Sequence, residues 1–185
     1  AKEYDKSVTE FFQKNGIEKN NLVVGVSLTA GNKIKEWDLE KFANLCEGIV
    51  QKYGAKIIII GGPMDVGYVD RLRPLMKSSF IQATHFSLEE LPSLLKQLNL
   101  FISGDTGPMH VAHALGVPLV DIIGPVDERE LAPNDSRSII VKANPIVNPT
   151  VFAFKKAGDP KESRRSLDQT SVGSVLSAVD KLISK

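Results

Sequence analysis

Ser103-Gly104-Asp105-Thr106-Gly107-Pro108-Met109-His110 is the stretch of this chain that decides the fold. Apolar residues 98–102 precede it and predict a buried strand, and Pro108 suits the first turn of a helix, where its missing N–H is not needed. The glycines allow another molecule to approach the backbone closely. Because free N–H groups at the start of a helix attract anions, this strand, turn and helix together predict a phosphate site.

The rest of the chain alternates short apolar runs with longer stretches of helical periodicity. The four isoleucines of 56–60 predict a strand buried on both faces, and Asp38 predicts the cap of a helix that ends at Gly54. Strands are predicted at 22–28, 56–60, 80–83, 98–102, 118–123 and 138–141, and helices at 7–14, 39–53, 66–76, 88–97, from 107 onward, and at 171–184. This alternation is typical of an α/β fold with a Rossmann-like, doubly wound parallel sheet.

Polar loops follow the predicted strands. Each of them carries glycine, a hydroxyl or a charge; they are 29–36, 61–66, 84–87, 103–106 and 124–134. Ligands of such sheets bind outside the carboxyl ends of the strands. We therefore expect the polar side chains of these loops to meet at one edge of the sheet.

Composition excludes several classes of protein. The chain has 185 residues and a net charge of +1, so its charge does not favour a nucleic-acid partner. Its one cysteine, Cys46, cannot form an internal disulfide and is predicted to be a buried thiol. No apolar run approaches the length of a membrane span, and residues 1–16 are polar and do not resemble a signal peptide.

Several other segments accompany the octapeptide at 103–110, in a fixed order. They are Val24-Gly25-Val26 with Lys35-Glu36-Trp37, Ile58-Ile59-Ile60-Gly61-Gly62, Ser87-Leu88-Glu89-Glu90-Leu91, and Gly124-Pro125. With these segments the chain resembles the C-terminal half of the family 9 glycosyltransferases, the ADP-heptose–lipopolysaccharide heptosyltransferases. The resemblance covers roughly residues 1 to 145 and the last helix, and the block from Asp105 to His110 is its specific part.

The resemblance implies a GT-B fold, in which two Rossmann-like domains face each other across a cleft. Residues 1–185 then form a single domain that binds the nucleotide-sugar donor, with 1–20 as a linker and helix and 171–184 as a C-terminal helix. The N-terminal acceptor domain, which would carry a carboxylate as general base, is expected outside these 185 residues. By themselves they are expected to bind nucleotide weakly and to catalyse no transfer.

The function implied is transfer of heptose from ADP-heptose to the inner core of lipopolysaccharide, with inversion at the anomeric carbon. The resemblance implies no cofactor and no metal, a cytoplasmic location, and peripheral contact with the cytoplasmic face of the inner membrane. The alternative from another class is a non-catalytic module that binds a nucleotide or a nucleotide sugar.

The octapeptide supplies four of the expected donor-binding residues. Thr106 and Gly107 would offer backbone N–H groups to the diphosphate. Asp105 matches the family aspartate that binds hydroxyls of the donor sugar, a role that suits a carboxylate acceptor; it would also serve as a helix N-cap. His110, one turn into the helix, is expected to donate to a phosphate oxygen.

The loop at 29–36 supplies two more. Lys35 matches the family lysine near the phosphates and would stabilise the leaving diphosphate; the alternative is a solvated lysine, with Lys33 close enough for the alignment to slip. Thr29 is expected to bind phosphate through its hydroxyl, although its loop is one residue longer than in some relatives. Trp37 is expected to fix this loop against the sheet.

Two residues after the second and third strands complete the set. Asp65 lies where the family has an acidic residue that binds the ribose, and a carboxylate at this point is a common ribose partner in such sheets. Phe86 falls at the position that lies against adenine, and equally suits a hydrophobic staple before a helix. His113 departs from the family and is interpreted as a packing residue.

Three other chemistries are weaker interpretations of the same residues. Asp105, His110 and His113 would form a metal set, because histidines three apart share a helix face. A serine hydrolase is disfavoured, because Gly25-Val26-Ser27-Leu28 lacks the second glycine of a nucleophile elbow. A dinucleotide dehydrogenase is disfavoured, because no Gly-x-Gly-x-x-Gly follows the first strand.

Overall fold

The computed structural model describes residues 2–124, 135–142 and 167–184. These residues form a six-stranded parallel sheet with helices on both faces. The strands are β1 (Val23–Val26), β2 (Lys56–Ile60), β3 (Ile81–Ala83), β4 (Leu100–Gly104), β5 (Leu119–Ile122) and β6 (Ser138–Val141), and the helices are α1 (Lys2–Lys14), α2 (Leu39–Tyr53), α3 (Val66–Leu72), α4 (Leu91–Leu95), α5 (Gly107–Ala114) and α6 (Val172–Ile183). The predicted α/β fold with a Rossmann-like sheet is confirmed.

The order of the strands, β3-β2-β1-β4-β5-β6, places the first strand at the centre of the sheet. Strands β2 and β3 are added in turn on one side of β1. The chain then crosses back, and β4 pairs with the other side of β1. Helices α2, α3 and α6 cover one face, and α1, α4 and α5 cover the other. The order therefore reverses between β1 and β4, which is where open parallel sheets bind their ligands.

The central strands are buried on both faces, as their sequences predict. Ile57 and Ile59 of β2 belong to the core under α2, whereas Ile58 and Ile60 belong to the core under α4 and α5. In β1, a Cβ added to Gly25 would lie 2.5 Å from the Cδ1 atom of Leu98. A glycine at this position therefore lets the chain beyond α4 pack directly on the central strand.

Helix α2 begins and ends as predicted. The Asp38 carboxylate accepts hydrogen bonds from two N–H groups of the first turn, and Gly54 ends the helix with a φ of 63°. Cys46 is fully buried within this helix, and burial raises the pKa of its thiol to about 12. A neutral, buried thiol agrees with the structural role predicted for it.

Several predicted boundaries are wrong by a few residues. The helix predicted at 88–97 is regular only at Leu91–Leu95, because Pro92 has no N–H to donate to Leu88 and residues 88–90 remain a turn, which Ser87 and Glu90 cap. The helix predicted at 66–76 ends at Leu72 and continues as a 3-10 turn at Arg73–Leu75, since Pro74 has no N–H. The strand predicted at 98–102 begins at Leu100, because the Leu98 N–H still donates to Leu95.

The terminal helices pack on the same sheet. Helix α1 extends from Lys2 rather than from residue 7 and packs against α4. Helix α6, which Ser171 caps, buries its apolar stripe against α2 and the core. The irregular segment predicted at 144–165 and most of the loop at 124–134 lie outside the described residues. Among the described helices, none combines the length and the apolar character that crossing a bilayer requires.

Candidate functional site

The turn from β4 into α5 forms the centre of a cleft at the carboxyl edge of the sheet. Thr106 is the N-cap of α5, and its Oγ1 accepts the N–H of Met109 at 3.4 Å. The Ser103 hydroxyl lies 2.9 Å from this same oxygen and holds it in place. N–H groups in the first turn of a helix have no partner within the helix, and a Cβ added to Gly107 would meet nothing within 4 Å. The start of α5 is therefore open to a ligand.

An ion pair lies beside this turn. The Lys35 ammonium donates to Asp105 Oδ2 at 2.6 Å, and the two side chains are 12% and 8% exposed. His110 Nε2 lies 3.8 Å from the other carboxylate oxygen. Because Thr106 caps α5 and the Asp105 carboxylate pairs with Lys35, the alternative interpretation of Asp105 as an N-cap is wrong.

A short 3-10 turn, Lys33–Lys35, positions the lysine. The Asn32 carboxamide oxygen caps this turn by accepting the N–H of Ile34 at 3.2 Å. The carbonyl of Lys35 comes within 3.6 Å of where a Cβ of Gly104 would lie, so the loop after β1 rests on the end of β4. The alternative of a solvated Lys35 is therefore wrong, and Lys33 lines the same cavity rather than replacing it.

The cleft has two connected ends. The α5 end, a cavity of about 630 Å³, contains the ion pair and is lined by Gly31, Asn32, Lys33, Lys35, Asp105, Thr106, Gly107 and His110. The β3 end, a cavity of about 340 Å³, includes Ser27, Thr29, Gly61, Gly62, Asp65, Phe86, Ser87, Leu88, Leu91, Thr106, Gly107 and Pro108. Gly31, Thr106 and Gly107 line both ends, so loops from four strands meet at the start of α5 as predicted.

At the β3 end the side chains are held less completely. Asp65 Oδ2 accepts the N–H of Gly62 at 2.7 Å, which fixes the carboxylate at the wall of the cavity. Phe86 packs edge-on against Phe11 of α1, with ring centroids 5.0 Å apart, and also lines the cavity. Phe86 therefore packs on α1 and presents a surface to the cleft, and both the adenine contact and the staple stay predictions.

The three side chains of the metal interpretation do not meet. His113 Nδ1 lies 3.3 Å from Ser138 Oγ and 3.7 Å from Asp135 Oδ2, on the β6 side of α5. Within residues 2–124, 135–142 and 167–184, no group of three His, Cys, Asp or Glu side chains is placed to hold a metal ion. The contacts of His113 agree with its predicted packing role.

Trp37 is a structural residue, as predicted, and it also reaches a part of the chain that the sequence does not indicate. Its ring packs edge-on against Phe42 at 5.0 Å, and its Nε1–H donates to the Thr170 carbonyl at 3.1 Å. The Lys41 ammonium donates to the carbonyls of Thr170 and Asp168. The segment before α6 is thereby tied to the loop that carries Lys35.

Sequence reasoning missed one acidic residue beside the cleft. Asp121 lies in β5 and is fully buried, and its carboxyl oxygens have no hydrogen-bond partner in the part of the chain that the structure describes. Burial, and then the charge of Asp105, raise the pKa of Asp121 to about 8, while Lys35 acts in the opposite direction. An acid inside the apolar run 119–123 is the signal that would have found it.

Comparison with solved structures defines the class of protein. The chain superposes with a TM-score of 0.82 and 25% identity on a glycosyl transferase family 9 structure from Veillonella parvula, covering 99% of this chain and 52% of that one. It superposes with a TM-score of 0.76 and 16% identity on E. coli ADP-heptose lps heptosyltransferase II, covering 96% and 51%. The fold is that of one Rossmann-like domain of a GT-B protein, and the chain spans about half the length of these structures.

Comparison of sequences identifies the family. Residues 3–155 match the model of glycosyltransferase family 9 (heptosyltransferase), so the chain belongs to this family. It is 32% identical over 111 residues to lipopolysaccharide heptosyltransferase 1 of Campylobacter coli, a match that covers 57% of this chain and 32% of the relative. It is 29% identical over 113 residues to lipopolysaccharide heptosyltransferase 3 of Escherichia coli strain K12, covering 59% and 32%.

Proposed function

We propose that this chain is the donor-binding domain of a glycosyltransferase that transfers heptose from ADP-heptose to the inner core of lipopolysaccharide. The observation that carries the proposal is the two-ended cleft at the start of α5. It offers a cation and a carboxylate at one end, and an acid and an aromatic ring at the other. This arrangement matches the parts of a nucleoside diphosphate sugar in order.

The start of α5 receives the diphosphate. The N–H groups of Thr106 and Gly107 and the positive end of the helix dipole bind an anion without a metal. Thr29 adds a hydroxyl from the loop after β1, and His110 a ring N–H from the first turn of α5. The absence of a side chain at Gly107 leaves room for the phosphate oxygens.

Lys35 and Asp105 act at the bond that breaks. The ammonium of Lys35 stabilises the negative charge that develops on the leaving diphosphate. The Asp105 carboxylate accepts hydrogen bonds from hydroxyls of the sugar. Their contact of 2.6 Å holds both groups in place, so little ordering is needed when the donor binds.

The β3 end receives the nucleoside. The Asp65 carboxylate accepts from the ribose hydroxyls, and Phe86 lies against the base. Adenine is the base we propose, since solved structures similar in fold to this chain include an E. coli heptosyltransferase with ADP and with ADP-2-deoxy-2-fluoro heptose.

The proposed chemistry is a direct displacement. An acceptor hydroxyl attacks the anomeric carbon, the bond from that carbon to the diphosphate breaks, and a carboxylate on an acceptor domain takes the hydroxyl proton. The product has inverted configuration. Through that acceptor domain the protein would bind the lipopolysaccharide core, in the cytoplasm and at the inner membrane.

Calorimetric titration of this chain with ADP, UDP and GDP, and then with ADP-heptose, tests the proposal. We expect ADP to bind best, heptose to add affinity, and that added affinity to disappear in Asp105→Ala. Asp70→Ala is the matched control, because Asp70 is exposed on α3 and lies outside the cleft.

The other outcomes discriminate between the candidate functions. A preference for UDP or GDP would keep a glycosyltransferase but exclude ADP-heptose as donor. Binding of ADP without any gain from the sugar would favour the non-catalytic nucleotide module. No binding at millimolar nucleotide, either to this chain or to a protein that joins it to an acceptor domain, would contradict both.

A further inference from the structure

Asp121 is a buried acid that the proposed chemistry does not use. Within the six-stranded sheet it lies in β5, next to Ser103 of β4 on one side and Ile140 of β6 on the other. Its side chain is inaccessible to solvent, and among the described residues nothing donates to or accepts from its carboxyl oxygens. Buried polar groups are nearly always hydrogen-bonded, so this one requires an explanation.

The register of the sheet places Asp121 directly behind the start of α5. Alternate residues of a strand face the same side, so Asp121 shares the α5 face with Leu119, whose side chain packs in the core under α5. Its neighbour Ser103 bonds through its hydroxyl to Thr106, the N-cap of α5. Asp121 therefore lies one strand away from the residues that shape the cleft, without lining the cleft itself.

Two charged groups of the cleft act on Asp121, namely the Asp105 carboxylate and the Lys35 ammonium. The histidines of α5 have other partners, because His110 faces Asp105 and His113 faces Asp135 and Ser138. The helix α6, on the opposite face of β5, buries apolar residues against the core. The Lys35 ammonium therefore bonds to Asp105 and acts on Asp121 through its charge alone.

The balance of charge decides which carboxyl group is ionised. Asp105 bonds directly to Lys35 at 2.6 Å and borders the cleft. An ionised Asp121 would be a buried charge without a hydrogen bond, which is strongly unfavourable. The pKa of about 8 that burial and Asp105 give to Asp121 agrees with a protonated carboxyl at neutral pH.

We infer that Asp121 is a positioning residue of the cleft, a protonated carboxyl that leaves Lys35 paired with Asp105 alone and so keeps the start of α5 receptive to a diphosphate. The inference rests on the proposed function, because it concerns the same anion site. When Asp121 loses its proton, a second negative charge acts on Lys35 and repels the diphosphate. Diphosphate affinity then falls as the pH rises, although Asp121 never touches the ligand.

The test compares the pH dependence of ADP binding in the wild-type chain and in Asp121→Asn, which is isosteric and cannot ionise. Calorimetry at constant ionic strength from pH 7 to 9.5 avoids most of the last ionisation of the phosphate, near pH 6. We expect wild-type affinity to fall about tenfold over this range, and the affinity of Asp121→Asn to stay nearly constant. Asp70→Asn, the same change on an exposed acid of α3, is expected to follow the wild type.

Parallel pH profiles for wild type and Asp121→Asn would overturn the inference, since a merely structural role changes affinity equally at every pH. A second readout separates this failure from that of the proposed function. The carboxyl ¹³C resonance of Asp121, assigned by its loss in Asp121→Asn, is followed in the chain without nucleotide. If neither protein binds ADP at any pH, and a protein that joins this chain to an acceptor domain does not bind it either, the proposed function fails. The resonance then decides on Asp121, because an ionised carboxyl at pH 7 overturns the inference and a protonated one supports it.

Discussion

The two ends of the cleft differ in how completely the protein builds them before a ligand arrives. At the α5 end, Lys35 and Asp105 are nearly buried and already bonded to each other. At the β3 end the rim carries an apolar side chain that faces solvent, Leu88, which is 83% exposed. A preformed pair binds with little loss of side-chain entropy, whereas an exposed apolar rim gains free energy only when a ligand covers it.

This difference separates recognition of the phosphates from recognition of the base. Changes at the α5 end are expected to weaken every diphosphate ligand, whichever base it carries. Changes at the β3 end are expected to weaken nucleotides and to leave inorganic pyrophosphate unaffected. The ratio of the two affinities therefore measures which end a substitution damages.

The largest effect is expected from Lys35→Ala. Loss of the ammonium removes a charge-assisted hydrogen bond and leaves Asp105 to repel the diphosphate, so we expect both ADP and pyrophosphate to bind about 100-fold more weakly. Stability is expected to fall by about 3 kcal/mol, because the substitution leaves the nearly buried Asp105 carboxylate without its partner. Calorimetry and thermal melts measure the two quantities.

Lys96→Ala is the control for that substitution, because Lys96 is an exposed lysine at the end of α4. A variant of Lys35 that melts far below the wild type and binds pyrophosphate normally would make this lysine a structural residue. It would also remove the distinction between a preformed end and an open end.

Asp121→Asn is expected to change how stability depends on pH. The folded-state pKa of about 8 lies above the unfolded value of about 3.9, so the folded chain holds this proton more tightly. The stability that this proton provides is complete below pH 4 and is lost as the pH rises toward 8. Between pH 5 and pH 8 the wild type should therefore lose about 4 kcal/mol relative to Asp121→Asn, measured by urea unfolding.

The unfolding free energy of Asp121→Asn at a single pH does not report the ionisation of Asp121, because a buried carboxamide also lacks hydrogen-bond partners at every pH. The informative quantity is how the difference in unfolding free energy between the two proteins changes with pH. A constant difference between the two proteins from pH 5 to pH 8 would show that Asp121 is already ionised in the folded chain.

Gly107→Ala tests whether the diphosphate contacts the backbone at the start of α5. A Cβ at Gly107 meets no atom within 4 Å, so the variant should fold normally. If the phosphate lies against this backbone, the methyl group displaces it, and both ADP and pyrophosphate should bind about tenfold more weakly. Gly67→Ala on α3 has equally open surroundings and should bind as the wild type does. Unchanged affinity in Gly107→Ala would place the phosphates elsewhere.

Sequence alone predicts the α5 end well. The octapeptide combines a buried strand, a helix-compatible proline and flanking glycines, and these local signals agree with one another. Because parallel strands end at one edge, the loop with Lys35 was expected beside it. The contact of Lys35 with Asp105 depends on a 3-10 turn and on the absence of a side chain at Gly104. Neither feature produces a periodic pattern in the sequence.

The β3 end was harder to predict, for physical reasons. The helix after Ser87 is shorter than its periodicity indicates, because Pro92 has no N–H to continue the helical bonds, and residues 88–90 remain a turn with Leu88 in solvent. Asp121 was missed because a strand pattern does not report the charges on neighbouring strands and loops. The first error arises from one missing backbone N–H, and the second from contacts between segments distant in the chain.

The smallest expected effect belongs to the open rim of the β3 end. In Leu88→Ser the apolar surface that a base would cover is lost, and ADP should bind about threefold more weakly, as expected for partial burial of one leucine. Pyrophosphate affinity and the melting temperature should not change, because the side chain is exposed in the free protein. Leu75→Ser, at an exposed leucine outside the cleft, is the matched control. Equal loss for ADP and pyrophosphate in Leu88→Ser would mean that the β3 end shapes the phosphate site as well, and that the two ends act as one.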